Sequence, residues 1–266
     1  MKGKEVRLKR LFKHSDRIFI APMDHGVTVG PVQGLTDMPA IVSLIKAGKA
    51  DAVVVHKGLV KQITDFLGSD GCELIVHLSA STSLAPDPNR KELVSSVEHA
   101  IRLGATAVSV HVNLGSEYEA GMIKDLGMVA EQCELWGMPL LAMMYVRDGS
   151  KESEYDPAKI KHAARLAEEV GADIVKVNYT GSAETFAEVT GGVKIPVVIA
   201  GGPKMSSFKD LLIMIEESVH AGARGVAIGR NLFQDPNPTH LAWVIRQILD
   251  HRPSEKGRNN IAIINF

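Results

Sequence analysis

Val170-Gly171-Ala172-Asp173-Ile174-Val175-Lys176-Val177-Asn178-Tyr179 reads as the end of a helix, a short turn and a buried strand. Glycine suits the left-handed position that follows a helix end. The β-branched run after it suits a strand covered on both faces. The same punctuation recurs at Ala47-Gly48-Lys49-Ala50-Asp51-Ala52-Val53-Val54, at Leu103-Gly104-Ala105-Thr106-Ala107-Val108 and at Ala221-Gly222-Ala223-Arg224-Gly225-Val226. These four copies precede the second, fourth, sixth and eighth of the apolar runs in the chain. Such an echo fits repeated pairs of βα units.

The eight runs cover residues 18–24, 52–57, 73–79, 107–113, 139–145, 173–179, 196–202 and 225–230. Longer amphipathic stretches separate them, among them 92–103, 117–136, 158–170 and 208–221. Strand and helix in alternation imply parallel pairing through crossover helices. Eight units predict an α/β fold, a single closed (β/α)8 TIM barrel. An open doubly wound sheet is the alternative. No composition break divides residues 1–266, so one barrel domain is expected. It carries a short, basic, solvated N-terminal arm and a tail from about residue 251. The apolar end of that tail, residues 261–266, either docks on a barrel or stays free.

Composition narrows the function. The 266 residues are 45% hydrophobic and 23% charged, with a formal net charge of -1, so nucleic acid is not an expected partner. No run is long enough to span a membrane, and no export signal opens the chain. A cytoplasmic protein with reduced thiols at Cys72 and Cys133 is expected.

Lys176 carries the chemistry. Side chains alternate along a strand, so Ile174, Lys176 and Asn178 share one face while Val175 and Val177 share the other. An ammonium has no place beneath the surrounding helices, which directs Lys176 into the barrel. Burial favours the neutral amine of a lysine, and a neutral amine attacks carbonyls. Schiff-base chemistry is the reading, against a structural ion pair with a carboxylate such as Asp24. Lys57, at the mouth of the second strand, is the rival nucleophile. A separate group must move protons at the substrate hydroxyl. Tyr145 and Asp24, at the ends of strands five and one, are the candidates, against a rim tyrosine and a turn aspartate.

Strand seven runs into Gly201-Gly202-Pro203-Lys204 and strand eight into Gly229-Arg230-Asn231. Loops after these two strands form the usual phosphate site of such barrels, since glycine lets backbone N–H groups approach an oxyanion. Gly201, Gly202, Gly229 and Arg230 are therefore the candidate phosphate ligands. His25, His56, His77 and His111 end the first four strands. Three of them around one point would suit zinc. Separate hydrogen-bonding roles are preferred, and neither metal nor cofactor is expected.

Met23-Asp24-His25-Gly26, His111-Val112-Asn113, Ala142-Met143-Met144-Tyr145, Ala172-Asp173-Ile174-Val175-Lys176, Ala200-Gly201-Gly202-Pro203-Lys204 and Gly229-Arg230-Asn231 together resemble the archaeal-type (DhnA-type) class I aldolase family. The likeness runs from about residue 7 to about residue 250. It implies a Schiff-base lysine at Lys176, an acid/base tyrosine at Tyr145, the strand-one aspartate at Asp24, and phosphate loops at Gly201, Gly202, Gly229 and Arg230. The methionines before Tyr145 and Asp24 look more like the heptulosonate synthase branch than the fructose-bisphosphate branch. That branch passes a ketose-phosphate fragment to L-aspartate semialdehyde, and a close relative uses dihydroxyacetone phosphate instead. Phosphorylated ketose and aldehyde substrates and a ring-type homo-oligomer are implied. One departure stands out: the family pattern after the tyrosine is Pro-Arg-Gly, whereas this chain has Val146-Arg147-Asp148-Gly149, which puts substrate choice in question. A plain fructose-bisphosphate aldolase, a thiolase-like enzyme of an autoinducer phosphate, and a non-catalytic sugar-phosphate-binding barrel are the other readings.

Overall fold

In a computed structural model, which describes residues 2–68 and 70–251, the eight apolar runs close into one parallel barrel. The strands are β1 (Ile18–Pro22), β2 (Ala52–Val55), β3 (Glu73–His77), β4 (Ala107–Leu114), β5 (Leu140–Val146), β6 (Ile174–Val177), β7 (Val197–Ala200) and β8 (Gly225–Ala227). Each pairs with its neighbours in sequence, and β8 closes on β1 through Ile18↔Gly225, Phe19↔Val226 and Ile20↔Ala227. Six strands end earlier than the apolar runs suggest, because the chain peels away from its neighbours at the mouth. β4 and β5 run one residue further than predicted and share a seven-residue register, Val108↔Leu140 to Leu114↔Val146.

The outer helices are α1 (Lys2–Leu11), α2 (Met38–Ala47), α3 (Val97–Arg102), α4 (Glu119–Trp136), α5 (Pro157–Val170), α6 (Ala183–Gly191), α7 (Phe208–His220) and α8 (Pro238–Asp250). Their starts are locally encoded. Asp37, Ser96, Asp156, Ser182, Ser207 and Asn237 each accept a backbone N–H of the first turn, and α2, α5 and α8 begin with proline at their first turn. The stretch 92–103 is not one helix. Ser96 caps α3 by accepting from the His99 N–H at 3.2 Å, and Glu92–Leu93 instead pair antiparallel with Ser79–Ala80.

The glycine echo also holds two different devices. Gly104, Gly171 and Gly222 take positive φ, as expected. At the first copy it is Lys49 that does so (φ 62), while Gly48 has φ -80. A Cβ on Gly48 would lie 2.3 Å from Ala242 Cβ, so glycine there serves the close approach of α2 to α8.

Two apolar layers fill the structure. Phe19, Val53, Val108, Val175, Val177 and Ile199 point outward against the helices. Ile18, Ile20, Val54, Ile75, Leu141, Ile174 and Val198 fill the barrel interior. The N-terminal segment is not a solvated arm. It is α1, whose Leu8 and Leu11, with Phe12, close the floor of the inner layer. Its basic residues hold the loops beneath the strands: Lys4 pairs with Glu134 (3.0 Å) and Asp173 (3.2 Å), Arg7 donates to the Gly137 carbonyl, and Arg10 pairs with buried Glu73. The tail end 261–266 lies outside the described residues. None of the described helices is long and apolar enough to cross a membrane.

A buried polar cluster joins the last helix to the first two strands. The Arg246 side chain, 1% exposed, pairs with Asp51 (2.8 Å) and Asp250 (2.8 Å) and donates to Ser15 and to the Arg17 carbonyl. Asp51 also accepts the Phe19 N–H at 2.7 Å and meets His14 at 2.6 Å. Removing one partner strands a charge in the interior. Arg246→Ala is expected to lower the unfolding free energy by about 3–5 kcal/mol, measured as a fall in the urea midpoint with the circular dichroism of the folded state retained.

Candidate active site

The strand parity that places Val175 and Val177 outside places Lys176 inside, where it is 7% exposed and opens onto a cavity of about 380 Å³ at the C-terminal mouth. Asp24, His25, His56, His77, His111, Tyr145, Gly201, Gly202, Gly229 and Arg230 line the same cavity. The seven residues given a catalytic or phosphate-binding role from the sequence, and the four histidines, therefore meet in one place. Lys176 makes no ion pair and no hydrogen bond among the described residues, so a structural pair with Asp24 is absent. Its Nζ lies 5.9 Å from the centre of the Tyr145 ring, which also packs against His111 at 4.8 Å. Lys57 is exposed outside the cavity and donates to the Val94 carbonyl.

Asp24 sits just beyond β1 with its carboxylate 18% exposed, toward the cavity. His77 Nε2 lies 3.7 Å from Oδ2, and His25 Nδ1 lies 3.8 Å from Oδ1. Burial works against ionisation of this carboxyl, but His77, then His25, Lys176 and His56, outweigh it and hold the group far below the ordinary carboxylate range. Asp24 is thus a fixed anion on the wall of the cavity that Lys176 shares.

The histidines do converge, but as neighbours in a packed wall. His77 Nδ1 meets Ser109 Oγ at 2.7 Å, and its ring contacts His56 edge-on at 5.3 Å. His111 Nε2 meets Asn113 Oδ1 at 2.8 Å, and His25 contacts Phe233 edge-on. Burial pushes the His77 imidazole down to about 4 against the opposing pull of Asp24. Burial likewise lowers His25, His56 and His111, the last well below its usual value with Lys91 and His77 adding to the effect. Among the described residues no three His, Cys, Asp or Glu side chains are set to hold a metal ion.

The two glycine loops are built differently. Gly202 takes φ +65, with open space where a Cβ would stand. Gly229 instead lets β8 approach β1: a Cβ there would be 2.7 Å from His25 Cε1 and 2.8 Å from the Pro22 carbonyl oxygen. Arg230 starts a four-residue helix, Arg230–Phe233, and donates to the Gly202 carbonyl at 3.2 Å. Asn231 is the residue the sequence reading missed. It is buried, donates to the Gly201 and Pro203 carbonyls (2.8 and 3.0 Å) and accepts the Met205 N–H at 2.7 Å, which stitches the two loops together. An asparagine directly after Gly-Arg at a strand end was the available signal. Lys91, Glu154 and Asn178 also line the cavity without having been assigned a role.

This arrangement has known counterparts. The model of the DeoC/LacD family aldolases matches residues 18–235. The chain belongs to that family. It is 44% identical over 256 residues to the 2-amino-4,5-dihydroxy-6-oxo-7-(phosphonooxy)heptanoate synthase of Streptomyces griseus, covering 96% of this chain and 93% of the relative. It is 46% identical over 249 residues to 2-amino-3,7-dideoxy-D-threo-hept-6-ulosonate synthase 1 of Archaeoglobus fulgidus, covering 94% and 92%. A solved structure of a Schiff-base-forming fructose-1,6-bisphosphate aldolase superposes with a TM-score of 0.83 at 30% identity, over 93% of this chain and 99% of that one. The protein is an aldolase of the Schiff-base class, on the barrel expected of it.

The four imidazoles that line the cavity give this aldolase a pH signature. Their folded-state values lie below the ordinary 6.5, reaching about 4 at His77. Between pH 4 and 6.5 the unfolded chain binds more protons, so stability falls as pH drops through that window and is fully present above it. Asp24, whose carboxyl is also held below its ordinary value, acts in the same sense, but its contribution is lost only as pH falls below the ordinary 3.8. Urea midpoints from pH 7 to 4.5 should therefore fall, and His77→Gln should flatten the slope. An unchanged slope in the variant would place the proton uptake elsewhere.

Proposed function

We propose that this aldolase joins a fragment of a phosphorylated ketose to L-aspartate semialdehyde, with Lys176 as the Schiff-base amine. The observation that carries the proposal is the position of Lys176: enclosed by the barrel, unpaired, and open only to a cavity that ends in glycine loops and an arginine. The product names of the relatives supply the carbon skeleton. In an amino-dihydroxy-oxo-phosphonooxyheptanoate the ketone stands at C6 and a β-hydroxyl at C4. The aldol bond is therefore C4–C5. Its two halves are dihydroxyacetone phosphate and 2-amino-4-oxobutanoate, which is aspartate semialdehyde. In the dideoxy-heptulosonate relative the missing C7 oxygen points instead to a fragment released from a larger ketose phosphate.

The steps follow from the residues. The amine of Lys176 attacks the donor carbonyl, and loss of water gives an iminium. The iminium draws electrons from the adjacent carbon, which loses a proton to form an enamine. The enamine carbon attacks the acceptor aldehyde, the new alkoxide takes a proton, and water hydrolyses the iminium to release the ketose. Tyr145 and Asp24 are the proton-transfer groups we assign, since both reach the cavity beside Lys176. Gly201, Gly202, Gly229 and Arg230 hold the donor phosphate through backbone N–H groups and a guanidinium fork, with Asn231 fixing the loops.

Fructose 1,6-bisphosphate cleavage is the second reading, favoured by the likeness to the solved aldolase of that name. The two differ in acceptor and share the amine. Borohydride reduction in the presence of dihydroxyacetone phosphate should add the reduced three-carbon phosphate to the peptide containing Lys176, and Lys176→Ala should abolish both trapping and turnover. An adduct on another lysine would end this assignment. Tyr145→Phe should keep trapping while lowering kcat by roughly 10²- to 10⁴-fold. Condensation with aspartate semialdehyde should exceed fructose 1,6-bisphosphate cleavage under matched conditions.

A further inference from the structure

The cavity holds a second set of charges that the lysine chemistry does not use. In the strand order β1-β8-β7-β6-β5-β4-β3-β2, β3 lies across the barrel from β7 and its phosphate loop. The chain leaving β3 carries Ser81 and Lys91 into the cavity wall. The Lys91 ammonium is half-buried, donates to Ser81 Oγ, and has no carboxylate partner among the described residues. Arg147 lines the same cavity, and burial, with Arg147 adding to it, weakens the hold of Lys91 on its proton against the pull of Asp24.

Arg147 lies on the loop where this chain departs from the family pattern. Its guanidinium stands 5.1 Å from the centre of the Tyr145 ring, donates to the Val146 carbonyl at 2.9 Å and pairs with Glu154 at 2.7 Å. Glu154 is held from its own backbone, whose carbonyl accepts from Asn178 Nδ2 at 3.0 Å. The loop is braced by Lys159, which pairs with Asp148 at 2.6 Å and donates to Ser153. The Arg147–Glu154 pair is thus fixed beside Tyr145, and Lys91 lines the same cavity.

We propose that Lys91, Ser81, Arg147 and Glu154 form the subsite for the α-amino-acid head of the acceptor aldehyde, with the carboxylate on Lys91 and Arg147 and the ammonium on Glu154. The inference rests on the reaction proposed above and names the groups that select its acceptor. A half-buried ammonium with a hydroxyl but no carboxylate for a partner is costly unless an anion joins it. The acceptor carboxylate is three carbon–carbon bonds from the reacting aldehyde carbon, and the Tyr145 ring lies near both Lys176 (5.9 Å) and Arg147 (5.1 Å). A phosphorylated acceptor would use the two cations but would leave Glu154 as a repulsive neighbour, so the mixed sign of the cluster favours a zwitterion.

The test compares acceptors that each lack one group: L-aspartate semialdehyde, 4-oxobutanoate without the amine, and 3-aminopropanal without the carboxylate. Steady-state KM for each is measured with Lys91→Met and Glu154→Gln, alongside borohydride trapping of the donor and thermal midpoints as checks on folding. Lys91→Met should raise KM roughly 10- to 100-fold for the two carboxylate-bearing aldehydes and spare 3-aminopropanal. Glu154→Gln should do the same for the two amine-bearing aldehydes and spare 4-oxobutanoate. Equal losses on all three acceptors, or an unchanged KM for aspartate semialdehyde in both variants, would overturn the subsite while leaving the proposed reaction standing. If the wild-type enzyme traps the donor but condenses it with glyceraldehyde 3-phosphate in preference to aspartate semialdehyde, the reaction itself falls and the subsite with it.

Discussion

A strand in a closed barrel has one side for the helices and one for the interior, and that constraint fixes the chemistry of this protein. On β6, Val175 and Val177 pack beneath the helices while Ile174 fills the interior. Lys176 has the parity of Ile174, one layer nearer the mouth. It cannot swing outward without driving an ammonium into an apolar layer and emptying an interior position. The enclosed amine is thus a consequence of register, and a slip by one residue would exchange every inward and outward side chain of the strand.

The cavity above that amine is unbalanced in charge. Lys91, Arg147, Lys176 and Arg230 line it against Asp24 and Glu154. The histidines soften the imbalance by staying neutral, since burial holds His25, His56, His77 and His111 below their ordinary values. Asp24 remains ionised among them. Such a site suits anionic ligands, which complete its charge as they bind. The glycine loops after β7 and β8, Lys91, Arg147 and the Lys176 amine all line this one cavity.

The barrel was legible from residues whose local and global preferences agree. Eight apolar runs and glycines such as Gly171 each specify one element, and the (β/α)8 count follows from their alternation. The errors arose where a residue answers to a distant partner. Gly48 looked like a helix-end glycine, yet it serves Ala242 on the far end of the chain. The basic segment at the start looked solvated, because Leu8, Leu11 and Phe12 acquire a hydrophobic surface only once the barrel floor exists. The stretch 92–103 looked helical because amphipathic spacing does not report that Glu92–Leu93 pair with Ser79–Ala80.

By itself the sequence determined the alternation of strand and helix, the parity of Lys176, and the glycine loops after the last two strands, since each depends on neighbours a few residues away. Tertiary structure alone decided that Asp24, Tyr145 and the four histidines share one cavity with that lysine, that Asn231 binds two loops together, and that Lys91 and the Arg147–Glu154 pair line that same cavity. Those relations depend on closure of β8 onto β1, which converts distance along the chain into proximity around a ring. No local pattern of residues records that conversion.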